Sequence, residues 1–327
     1  MVKQQGNHEK IFVKQSNIRR NVVVYQDDSA ETIKKYGNTL IWVRIIVALG
    51  VLCGLLVLGN RKTADLEITC LDVGQGDCIV LETGEGNDFL IDCGSTSEKS
   101  VGQYTLFPFL KHQGISYLEG IFISHTDQDH ISGIAELLTT ISEKMTAIRV
   151  GYVILPDWKE KNEAYLEIET LALEAEAEVL YANQGDCLEI GGLRMEVLYP
   201  EKGSLGEDVN EEGMILKVKY KEFCGLFMGD TGSEVEKKLL SVWTDVDFLK
   251  VGHHGSRYSS SEFFLQAVTP EIAVISCGED NSYGHPAEET VERLENAGCQ
   301  VEYTMKNGAI SVYVDGGEWK VERFMAF

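Results

Sequence analysis

No CxxC pair occurs in these 327 residues, and the eight cysteines stand singly in apolar runs such as LEITCLDV around Cys70 and IAVISCG around Cys277. Buried free thiols are therefore expected rather than a disulfide framework, because a small, apolar-like side chain suits core strands. Positive charge is scarce too: 29 Lys and Arg stand against 52 Asp and Glu, for a formal charge of -23 and a pI near 4.7. Such a surface repels nucleic acid and anionic membranes, so a polyanionic substrate needs local positive charge, which metal ions can supply. The glycine-rich LDVGQGDC (residues 71–78) lacks the lysine of a P-loop and the helix that follows a Rossmann turn, so it reads as a tight hairpin between strands. What is present is ordinary for a globular protein, 44% apolar and 25% charged, and excludes disorder of the whole chain.

A single long apolar run, LIWVRIIVALGVLCGLLVL from Leu40 to Leu58, is broken only by Arg44, which can snorkel to headgroups. A segment of about forty residues before it is long for a signal peptide, so the expectation is one uncleaved transmembrane anchor over 40–60. Lys34, Lys35 and Arg44 on its leading side place the short polar segment 1–39 in the cytoplasm and the remainder outside the cell. From residue 64 to 327, short apolar strands alternate with helical patterns in two series, which points to an α/β domain built as a four-layer αββα sandwich with its site at strand ends.

The strongest local signal is IFISHTDQDHISG, an apolar strand that runs into His125, Asp127, Asp129 and His130 and then into a helix. Alternate residues of an extended chain share a face, so the first three project together while the helix start swings His130 alongside. Imidazole and carboxylate without thiolate suit a catalytic zinc or manganese site rather than a closed structural one. FCGLFMGD delivers Asp230, a carboxylate able to bridge two metals, and VDFLKVGHHGS delivers His253 and His254. Neighbours on an extended chain point apart, so His254 is taken as the ligand and His253 as a group facing substrate. His285 in NSYGHPAEE is placed to act on substrate or leaving group, and Asp92 in FLIDCG to orient a ligating histidine from behind. Lys250, Ser256 and Arg257, beside the histidine pair, are candidates to grip phosphate. Five of the seven histidines lie in these strand-end motifs; His8 and His112 do not.

Taken in order, LDVGQGD, LIDCG, SHTDQDHISG, NEEGMILKVKY, FMGDTG, LKVGHHGS and NSYGHPAEETVERLENAG resemble the metallo-β-lactamase superfamily and, within it, the C-terminal domain of the ComEC family of DNA-uptake proteins. The resemblance covers about residues 64–323. It implies a metallo-β-lactamase fold, two divalent ions (Zn²⁺, with Mn²⁺ as the second choice) and phosphoester hydrolysis by a metal-bound hydroxide, with DNA as the expected substrate. Asp127 stands where most of the superfamily has a histidine, a departure that the ComEC family shares. Asn210, opening NEEGM, falls nearest the superfamily's third histidine. The many-helix channel of that family has no counterpart in this sequence, so its transport role is not carried over. The expectation is thus a single-pass, membrane-anchored phosphodiesterase or nuclease acting outside the cell, with single-stranded DNA, a small phosphodiester or a cell-wall phosphoester as substrate. The competing reading is an inactive metal-binding module that docks a surface or transport partner.

Overall fold

The computed structural model describes residues 40–54 and 64–325, and the chain divides into two units, 1–62 and 63–327. In the first unit residues 40–54 form helix α1, with apolar side chains such as Trp42 and Ile46 exposed. The rest of the expected anchor and the segment 1–39 lie outside the described residues. Among those described, no helix is long and apolar enough to cross a membrane, so the expected transmembrane span is not supported.

The second unit opens with β1 (Leu66–Cys70), β2 (Cys78–Thr83) and β3 (Asp88–Cys93), which pair antiparallel. A π-helical turn, Gly102–Leu106, leads into α2 (Phe107–Gln113). There follow β4 (Tyr117–Phe122), α3 (Gln128–Ser142), β5 (Arg149–Pro156), α4 (Glu163–Glu174) and β6 (Glu178–Ala182), with β3 to β6 parallel. The second series begins with an antiparallel run: β7 (Cys187–Ile190), β8 (Leu193–Tyr199), β9 (Ile215–Tyr220) and β10 (Phe223–Phe227). It continues through α5 (Ser233–Lys238), β11 (Phe248–Lys250), α6 (Glu262–Val268), β12 (Ile272–Ile275), α7 (Glu288–Asn296) and β13 (Gln300–Tyr303), with β10 to β13 parallel. After the short α8 (Thr304–Asn307), β14 (Ile310–Asp315) and β15 (Glu318–Arg323) return to pair beside β1.

The strands form two sheets, ordered β15-β14-β1-β2-β3-β4-β5-β6 and β13-β12-β11-β10-β9-β8-β7. Ile68, Phe89, Met195, Phe223 and Phe248 pack between the sheets. On the outer faces, Ile121 and Val153 pack with Leu137 and Tyr165 from α3 and α4, while Leu226 and Ala273 pack with Val235, Phe264 and Leu294 from α5 to α7. Four layers result, because strands apolar on both faces must be covered twice; each fully buried Leu, Ile or Phe contributes about 1.5–3 kcal/mol.

LDVGQGDC is not a tight hairpin. Residues 71–77 form a largely buried loop whose Asp77 N–H donates to the Asp129 carbonyl (3.0 Å) and whose Asp77 carbonyl accepts from Gly94 (2.9 Å). The glycines permit this approach: a Cβ on Gly76 would stand 2.3 Å from the Gly94 carbonyl oxygen, and one on Gly94 2.4 Å from that of Gln128.

Candidate metal centre

The chemistry-bearing residues gather where β3, β4, β10, β11 and β12 end. His125 follows β4, and Asp127 takes the N-cap position of α3 in extended conformation (φ -74, ψ 153) without a side-chain capping bond, so its carboxylate is free to face elsewhere. Asp92 occupies a β-bulge: Cys78 pairs with Cys93 and Ile79 with Ile91, leaving Asp92 between them at φ 52. Bulges re-aim side chains. Here the carboxylate accepts from Ser124 N (2.7 Å), Ser124 Oγ (2.6 Å) and His130 Nδ1 (2.9 Å).

Each of three buried imidazoles is anchored through Nδ1 by a different acceptor. His130 uses Asp92, His125 donates to Ser124 Oγ (3.0 Å), and His254 donates to the Ser276 carbonyl (2.9 Å). An Nδ1–H so engaged leaves the Nε2 lone pair available, the arrangement that metal-ligating histidines show. The Nε2 atoms of His125, His130 and His254 are buried with no hydrogen-bond partner, as is Asp230 Oδ1. Asp230 stands at their centre: Oδ1 lies 3.3 Å from His130 Nε2, and Oδ2 lies 3.6 Å from His254 Nε2 and 3.9 Å from His125 Nε2. Ligand atoms of Asp129, His130, Asp230 and His254 all fall within 4.8 Å of one another, with Asp129 Oδ2 3.4 Å from His254 Nε2. On the other side of Asp230, Asp127 Oδ2 is 3.9 Å from His125 Nε2.

Electrostatics match. Burial pushes the Asp230 carboxyl upward, but the imidazoles of His254, His130 and His125 outweigh it and hold the group well below the usual carboxylate range. Burial opposes protonation of His254, yet the carboxylates of Asp230, Asp77 and Asp129 raise it to about 10. Burial, joined by His130, drops His125 to about 4. Burial opposes protonation of His130 too, yet the carboxylates of Asp230 and Asp92 raise it as well, so a metal ion would compete with protons for the Nε2 atoms of His130 and His254. The His and Asp residues present fit a dinuclear divalent-metal site.

At the rim, His253 is one-third exposed and its Nε2 lies 3.9 Å from Asp230 Oδ2. The histidine pair is not extended as expected: His253 (φ 48, ψ 46) and His254 (φ 52, ψ 25) both adopt left-handed backbone in a turn. The turn still separates the rings, 6.5 Å apart, with His254 inward and His253 outward. His285 stands 5.6 Å from His253, ring to ring, with Nδ1 buried and unpartnered. Burial, then His254 and His253, lowers it to about 4, so it is neutral at pH 7 and unsuited to protonate a leaving group. Lys250, expected to grip phosphate, is instead 1% exposed and paired with Asp77 at 2.8 Å, out of a substrate's reach. Ser256 is buried, with its Oγ 3.4 Å from Tyr258 N, whereas Arg257 is exposed. Asn210 Oδ1 is buried without a partner, in a loop fastened to the site by the Met214 N–H to Ser124 carbonyl bond (2.7 Å). Sequence reasoning missed Ser124 and Ser276, and it read Asp77 as part of a hairpin turn rather than as a contact to the centre. Ser124, inside SHTDQDH, and Asp77, inside LDVGQGD, carried a local signal; Ser276 did not.

Residues 71–190 match the Metallo-beta-lactamase superfamily. Over 285 residues the chain is 31% identical to ComE operon protein 3 of Bacillus subtilis (strain 168), covering 82% of this chain and 36% of that protein. It is 29% identical over 248 residues to Recombination protein 2 of Haemophilus influenzae, covering 75% of this chain and 28% of that one. The chain thus spans about a third of the length of the curated relatives it matches. Among solved structures, CmlA, a diiron beta-hydroxylase from Streptomyces venezuelae, superposes with a TM-score of 0.50 at 16% identity, covering 79% of this chain and 54% of CmlA, a likeness of fold alone. Fold, ordered motifs and profile together identify a metallo-beta-lactamase domain. Within that superfamily, the chain is similar to the ComEC family of competence proteins.

Proposed function

We propose that this domain is a two-metal hydrolase of phosphodiesters, with His125, Asp127, Asp129, His130, Asp230 and His254 as ligands. The observation that carries the reading is the set of buried Nε2 atoms without partners converging on the two oxygens of Asp230. Zinc is the preferred ion, with manganese next, because imidazole and carboxylate without thiolate suit both. When bound, a divalent pair polarises a phosphoryl oxygen and lowers the pKa of water, so that attack on phosphorus proceeds near neutral pH.

The chain's own residues supply the rest. Asp92 and Ser124 fix the rings of His130 and His125. Asn210, whose Oδ1 is buried without a partner, would support the centre where the superfamily's third histidine falls. His253, partly exposed at the rim, steadies the phosphoryl group, and neutral His285 accepts a hydrogen bond from substrate. Arg257 meets the phosphate of an incoming diester, and Ser256 shapes the turn beneath it. The charge of -23 favours a small or single-stranded diester over a long duplex. The apolar run from Leu40 to Leu58 is the basis for proposing a membrane tether over residues 40–60, with the hydrolase outside the cell.

Elemental analysis of the purified chain should find close to two zinc or manganese ions, and the protein should hydrolyse bis-p-nitrophenyl phosphate. Asp129→Ala should abolish turnover. Metal without turnover on that ester, on single-stranded DNA or on duplex DNA would leave a binding module instead. Alkaline carbonate extraction tests the tether: release of the full chain into the soluble fraction removes it.

A further inference from the structure

Beneath the metal centre lies a second buried charge cluster that the proposed reaction does not use. Lys250 comes from β11 in one sheet, and Asp77 from the loop that leads into β2 in the other. Both are 1% exposed, and they meet at 2.8 Å. Asp77, Asp92 and His130 could by distance form a second trio of ligands, but the Lys250 ammonium is already paired with Asp77, and Nδ1 of His130 is bonded to Asp92. The adjoining void, about 10 Å³ and lined by Asp77, Asp92, Ser124 and Lys250 together with Ile79 and Phe122, has room for no more than one water, so the two charges depend chiefly on each other.

A buried ion pair is weak evidence for stability, because desolvation of both groups consumes most of the attraction. Its surroundings show a different use. The Asp77 backbone N–H donates to the Asp129 carbonyl (3.0 Å), inside the loop that carries four of the ligands. The Asp77 side chain reaches the opposite sheet, with Oδ1, otherwise unpartnered, 3.5 Å from His254 Nδ1. One residue thus touches the ligand loop with its backbone and the His254 ring with its carboxylate, and Lys250 fixes where that carboxylate points.

We propose that the Lys250–Asp77 pair is a positioning device for the metal centre, setting the ligand loop of one sheet against His254 of the other. The proposal rests on the reading of the cluster as a metal site. It predicts that the pair governs metal affinity more than it governs folding.

The test is zinc affinity by chelator competition together with Tm, on the wild-type chain, Asp77→Asn, Lys250→Met and the double variant. Each single change strands one buried charge and should lower Tm by about 10 °C. The double variant strands none and should recover most of that loss, yet bind zinc about 10–100-fold more weakly than wild type, the range for loss of an outer partner of a metal ligand. A double variant that binds zinc as tightly as wild type overturns the proposal, and so does one that does not fold, since the pair would then hold the fold and not the site. A wild-type chain that takes up no zinc or manganese sinks the metal reading itself, a separate result.

Discussion

Segments 124–130 and 252–256 each deliver two histidines from the end of a central strand, yet they do so with opposite backbones. The first is extended only as far as Asp127, the N-cap of α3, so Asp129 is aimed together with His130 by the first helical turn and not, as expected, by strand alternation. The second folds into a left-handed turn, with φ 48 at His253 and φ 52 at His254. Non-glycine residues there persist only when their surroundings over-determine them. The restraints are visible: His253 N donates to the Gly229 carbonyl (2.9 Å), Ala287 N to the Gly255 carbonyl (2.9 Å), and Ser259 Oγ to the Gly252 carbonyl (2.7 Å). A ligand set can therefore be written in regular backbone on one side and held by tertiary contacts on the other.

Asp230 is where the two segments meet, so removing its charge gives the largest break. Asp230→Asn should lower diester hydrolysis about a thousand-fold, since several kcal/mol of charge stabilisation corresponds to about three decades in rate, and should reduce bound zinc on elemental analysis. Unchanged metal content would separate Asp230 from the ligand set. The next effect compares the segments directly. His254→Asn and Asp92→Asn, one acting on a ligand and one on its anchor, should each weaken zinc binding at least about 10-fold, whereas His253→Asn should lower turnover with metal affinity retained. Equal losses of metal at positions 253 and 254 would erase the inward–outward distinction.

The strained turn makes a smaller, opposite prediction. Glycine adopts positive φ without a Cβ clash, so His253→Gly should be more stable than His253→Ala by about 1 kcal/mol, measured by urea denaturation. A tie would mean that the left-handed backbone at 253 carries no cost.

The same contrast explains what could be read along the chain. The layered α/β architecture and the gathering of His125, Asp129, His130, Asp230 and His254 were legible because short apolar runs ending in His or Asp encode strand and site together. The conformation at 253–254, the bulge at Asp92 and the role of Lys250 were not. Each depends on contacts with residues distant in sequence: Gly229 for the turn, Ser124 for Asp92, and Asp77 for Lys250. Lys250 misled because a lysine near a histidine pair resembles a phosphate grip until its partner across the sheets is seen. The buried loop at 71–77 escaped for the same reason, since its contacts with Asp129 and Gly94 have no local signature.

Carboxylates away from the metal centre sharpen the contrast further. Asp230 is depressed because imidazoles surround it, while Glu82 on β2 faces Glu67 on β1 and Asp88 on β3 in register, with Gln113 donating to it (2.9 Å). Burial, then Glu67, pushes Glu82 up to about 7. A carboxyl raised above its ordinary value of 4.5 favours the fold while protonated, and that contribution is lost as pH rises from 4.5 through about 7. Glu82→Gln keeps the neutral shape and removes the penalty. It should raise Tm by about 2–4 °C at pH 8, about 1 kcal/mol for a domain of this size, and the gain should vanish below pH 4.5. A gain that persisted undiminished at low pH would assign the effect to packing rather than charge, and with it remove Glu82 as the counterpart of Asp230.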